Sequence, residues 1–190
     1  MTDKDMFAER GRSLEEEYFR RKDKELIERM RRAAAADEAR SEMGKRTGLT
    51  DPELLKELEA LGFTPDTVIL LPLVPVIQVA WAEGGVSAAE RHLIFKLARA
   101  RGVAEGDAAD RQLTEWLDRR PADHVFVYAT RLIRAMLDAS DDAGFSADDL
   151  VKQAESIASA SGGMLGIIGR VSAEERELLS ELSAKLKRQG

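Results

Sequence analysis

Apolar and polar residues alternate along this chain with a helical period almost everywhere. From Asp5 to Met43 the residues are mostly Glu, Lys, Arg and Ala, all good helix formers. The apolar ones are sparse: Phe7, Leu14, Tyr18, Phe19, Leu26, Ile27 and Met30, then Ala33 to Ala36. Steps of three, four and seven keep them near one stripe, too thin to form a core alone. The spacing predicts a long helical arm that lies on the rest of the chain, on a copy of itself or on another protein. After Gly44-Lys-Arg-Thr-Gly48 the pattern changes to compact helices with legible ends. Thr50 or Asp51 caps a helix with Pro52 in its first turn and Leu54, Leu55, Leu58 and Leu61 on one face.

The most apolar run, Val68–Ala82, reads as a buried central helix kinked by Pro72 and Pro75. It is shorter than the ~20 residues a membrane span needs. Further helices are expected over 87–101, 107–119, 121–138, 146–160 and 172–188, each bounded by Gly, Pro or a capping residue. Trp81, Trp116 and Leu117 are expected to face inward, and the helix over 121–138 carries Val125, Val127, Leu132, Ile133 and Leu137. No strand pattern longer than a few residues occurs. The fold class is all-α: a compact bundle of about seven helices with an N-terminal arm over 1–48 and a helical domain over 49–190.

One short phrase recurs three times, as "VSAAER" at 86–91, "FSADD" at 145–149 and "VSAEER" at 171–176. Ser87, Ser146 and Ser172 are suited to accept from the backbone N–H three residues on. Glu90, Asp149 and Glu175 can reach back to the cap's own N–H, the shorter Asp less readily. Helix-start punctuation explains all three copies. The same geometry also forms the exit half of a calcium loop, where positions nine and twelve are the cap and the third helical residue. Upstream of Ser172 there is no ligand acid and upstream of Ser87 only Glu83, whereas before Ser146 Asp138, Ser140 and Asp142 take positions one, three and five, and Asp149 takes position twelve. Ala143 stands where the sharp turn wants Gly. This loop is a candidate weak site for Ca²⁺ or another divalent cation, at about 10⁻⁴ to 10⁻³ M.

Charge narrows the partners. The chain carries a net charge of -6 with a pI near 5.2, which argues against nucleic acid as the main ligand. There is no cysteine, so disulfides, thiolate metal sites and a Cys nucleophile are excluded. The opening residues contain no apolar signal region, and a cytoplasmic location is the default expectation. His92 and His124 fall on separate predicted helices, and no phosphate loop, Gly-x-Ser-x-Gly or His-Glu-x-x-His motif occurs. The expectation is a protein that is not an enzyme.

Two stretches resemble a known family. "VAWAEGGVSAAERHLIFKLA", 79–98, is similar to the signature of the TerB-like tellurite-resistance domains, and "ASASGGMLGIIGRVSAEERELLSELSAKL", 158–186, is similar to their second motif. The resemblance implies a compact helical domain of related halves, with acidic residues gathered at inter-helix loops. It implies a role in bacterial stress response and, as in some members, metal binding. Glu83 stands where the family has Asp, and Glu90 and Glu175 match its motif glutamates, so Glu83 and Glu90 join the candidate metal ligands.

Three functions are consistent with these features. One is a scaffold or adaptor that binds partner proteins, or a second copy, through the arm and the acidic loops. Another is a divalent-cation module. The third is a peripheral membrane protein touching anionic lipid through "FRRKDKELIERMRR" at 19–32.

Overall fold

Capping residues and helical periodicity organise the chain into helices throughout, and no strand occurs among the described residues. The computed structural model describes residues 3–139, 144–161 and 171–187, with side-chain detail beginning at Glu15. The α helices are α1 (Asp3–Thr47), α2 (Pro52–Ala60), α3 (Val74–Ala80), α4 (Ala88–Ala100), α5 (Ala108–Asp118), α6 (Asp123–Ala139), α7 (Ala147–Ser161) and α8 (Ala173–Lys187). A 3₁₀ helix (Val68–Leu73) precedes α3. The expected all-α class with a long N-terminal helix is what the protein adopts.

The chain divides into two units, 1–41 and 42–190. The first is the charged body of α1. Residues 15–35 are all exposed. Ion pairs within the helix support it, including Lys22–Glu25 at 3.3 Å and Glu28–Arg32 at 2.9 Å. Such pairs contribute about 0.2–0.5 kcal/mol each. The division falls inside the segment read from the sequence as the arm. Met43, Thr47 and Leu49 are buried, because here the polar helix meets its first sustained apolar contacts.

The core of the second unit is built on the apolar run. Leu70, Leu71, Leu73, Val76, Ile77 and Val79 are completely buried. The helix α3 packs chiefly against α7 and α6, and α7 also covers α4 and α8. The sequence reading expected one kinked helix here, and the structure instead has a 3₁₀ helix followed by α3. Proline is the cause. Pro72 lacks an N–H and its ring crowds the preceding turn, whereas Pro75 falls in the first turn of α3, where no N–H is needed.

Trp81 and Trp116 face inward as expected, partly buried and packed against the core. The Trp81 indole N–H donates to the Trp116 carbonyl at 2.9 Å, and the Trp116 ring meets Phe63 edge-on at 5.7 Å. An indole kept at the core's edge can satisfy its N–H while burying its ring. Val127 is 65% exposed, because the inner face of α6 runs through Phe126, Ala129, Thr130, Ile133 and Met136. One residue of helical advance carries Val127 off that face.

Candidate functional site

All three copies of the repeated phrase form caps. Ser87 Oγ accepts from Glu90 N at 3.3 Å, and the Glu90 carboxylate accepts from Ser87 N at 2.7 Å. Ser172 and Glu175 repeat this at 3.1 and 2.7 Å. At Ser146 the return bond from its N–H to Asp149 is longer, 3.2 Å, as the shorter side chain dictates. There the Ser146 hydroxyl also donates to Asp149, at 2.7 Å. The hydrogen bonds from Ser146 hold the Asp149 carboxyl below its usual range.

The copies differ in burial. Asp149 is exposed, whereas Glu90 and Glu175 are 2% and 0% exposed. Burial raises the Glu90 carboxyl above its ordinary value. The Ser87 hydrogen bonds oppose that rise, and the charges of Glu175 and Glu83 add to it. The first turns of α4 and α8 therefore bring two buried capping carboxylates within electrostatic reach, with Glu83 exposed on the turn before α4. The sequence-derived set contained Glu83 and Glu90 but not Glu175. Its signal was the repeated phrase itself, which gives Glu175 the same place in α8 that Glu90 has in α4.

This arrangement predicts a pH dependence. A carboxyl raised in the fold binds its proton more tightly there than in the unfolded chain. Its contribution to stability is complete below the unfolded value and is lost as pH rises through the folded value. Glu90→Gln keeps an acceptor for Ser87 N–H and removes the charge. Thermal melts across mildly acidic pH should show the wild-type midpoint falling relative to this variant as pH rises; parallel curves would exclude the effect. Ser87→Ala, which removes the other half of the box, should cost about 1 kcal/mol at any pH.

The calcium-loop candidates are arranged differently. Asp138 is exposed near the end of α6, 3.6 Å from Arg134, and Asp149 is engaged by Ser146. Ser140 and Asp142 lie outside the described residues, as do residues 162–170 of the second TerB-like stretch. The left-handed residue before α7 is Gly144, with φ of 73°, which is position seven of the calcium-loop register rather than six. Among the described residues, no group of three or more His, Asp and Glu is placed to hold a metal ion.

A second candidate surface lies on the arm. Tyr18, Phe19, Leu26, Ile27 and Met30 are between 46% and 63% exposed. At about 100° per residue, Phe19, Leu26 and Met30 fall within about 40° of one another, with Tyr18 and Ile27 on either flank. His92 and His124 are exposed on α4 and α6. No helix among the described residues is long and apolar enough to cross a membrane. No protein-family model, curated protein or solved structure matches this chain.

Proposed function

We propose that this chain is a non-enzymatic adaptor that recruits other molecules, partner proteins first among them, through the arm and the acidic turns of its helical unit. The observation that supports this reading is the exposed apolar stripe on α1. Five large hydrophobic side chains on this charged stretch of helix are each about half exposed or more. Apolar side chains gathered on one exposed helix face are the kind of patch that marks an interaction surface. The resemblance to TerB-like domains supports assigning the adaptor to a bacterial stress-response pathway, and the exposed acids Glu83 and Asp149, at the turns before α4 and α7, supply the second surface.

Affinity capture tests this with the full chain and the Phe19→Ser, Met30→Ser double variant, compared by mass spectrometry. Molecules retained by the wild type should be lost by the variant, while the unfolding midpoint stays within about 0.5 kcal/mol, since both sites are exposed. Retention unaffected by the double substitution would remove the arm from the function.

A further inference from the structure

The arm's charge says what kind of surface its stripe meets. Residues 18–34 hold seven Arg and Lys against three acids, a net charge of +4 (7 − 3), in a chain whose total is -6. The remainder of the chain therefore carries -10 (−6 − 4). Two of the three acids, Glu25 and Glu28, are already engaged with Lys22 and Arg32 along the helix. The positive charge lies around the same turns that expose Phe19, Leu26, Ile27 and Met30. Helical rotation puts Arg20, Arg21, Lys24, Arg31 and Arg32 on the side away from the stripe, with Lys22 and Arg29 at its border.

We infer that residues 18–34 form an interfacial helix for an anionic lipid surface. A helix lying in the headgroup plane immerses its apolar side chains at the acyl boundary while its bases remain among the lipid phosphates. Both halves of the arm's chemistry are met at once. A second copy of the chain meets them less well: each arm segment carries +4, and parallel, in-register pairing sets Glu16 against Glu16 and Asp23 against Asp23 beside the stripe. Nucleic acid would satisfy the bases and leave the stripe in water. The inference rests on the arm being the adaptor's recognition face, and it gives the adaptor a membrane surface as one of the things it joins.

Co-sedimentation of the full chain with vesicles tests it. Vesicles of phosphatidylcholine containing about 30 mol % phosphatidylglycerol should bind roughly ten-fold more tightly than phosphatidylcholine alone. Salt at about 0.5 M should reverse most of that difference, since it shortens the screening length. Phe19→Ser with Leu26→Ser, and separately Arg29→Glu with Arg32→Glu, should each lower binding by roughly ten-fold. Absence of binding to the anionic vesicles overturns the inference, as does binding that ignores both pairs of substitutions. Sedimentation velocity without vesicles adds a second check: a dimer dissociated by Phe19→Ser with Leu26→Ser makes a second copy the occupant and also overturns it. Stripe-dependent capture of a protein without vesicle binding defeats the lipid assignment and leaves the adaptor reading standing.

Discussion

Replacing Ile77 by Ala should destabilise the helical unit by about 2–5 kcal/mol, a large share of the stability of a domain this size. Ile77 is completely buried in α3, the short helix that α6, α7 and α8 all pack against. Removing its outer carbons forfeits their transfer from water and leaves a void that neighbouring helices can close only by moving together. The 3₁₀ helix directly before α3 holds a further row of buried leucines, which restricts such closure. Urea unfolding followed by circular dichroism measures the effect. The midpoint should fall with the slope unchanged, because the folded unit buries nearly the same surface. A loss below about 1 kcal/mol would mean that α3 is not the centre of the core.

Trp81→Ala should cost about 3 kcal/mol, at the lower end of the range for a large aromatic because the ring is only half-buried. The loss has two components, which a second variant separates. One is the contact surface between the end of α3 and the core. The other is the hydrogen bond from the indole to the Trp116 carbonyl, which ties α3 to α5. Trp81→Phe keeps most of the first and removes the second, so it should cost about 1 kcal/mol, the net worth of one such bond. Equal losses for the two variants would show that the ring's packing contributes little. Measuring both in the Trp116→Phe background, which keeps the carbonyl but alters its packing partner, would show how far the two sites are coupled.

Much of the architecture was legible as punctuation. Asp51, Ser87 and Asp107 each accept a backbone N–H at a helix start, and Gly62, Gly84 and Gly102 take left-handed conformations in the turns. These are local effects, decided within a few residues, so one sequence suffices to read them. The apolar run was legible as core but not as two helical pieces. Whether a proline kinks a helix or ends it depends on what the neighbouring elements can satisfy. The exposure of Val127 and the half-burial of both tryptophans were also beyond the local pattern, since periodicity ranks faces without saying where each face ends.

The candidate sites divide along the same line. Amino-acid order alone determined that Ser87 with Glu90 and Ser172 with Glu175 would form capping boxes, and that the arm would be a helix with a thin apolar stripe. Those outcomes need only hydrogen bonds and side-chain spacing within one or two turns. Tertiary structure decided that Glu90 and Glu175 are buried within electrostatic reach of each other while Asp149, in the same phrase, stays in water. It also decided that Met43 and Thr47, on the same helix as the arm, enter the core, whereas Phe19 and Met30 remain exposed. Burial and charge proximity are properties of residues far apart in the chain, set by how helices pack, and no local pattern encodes them.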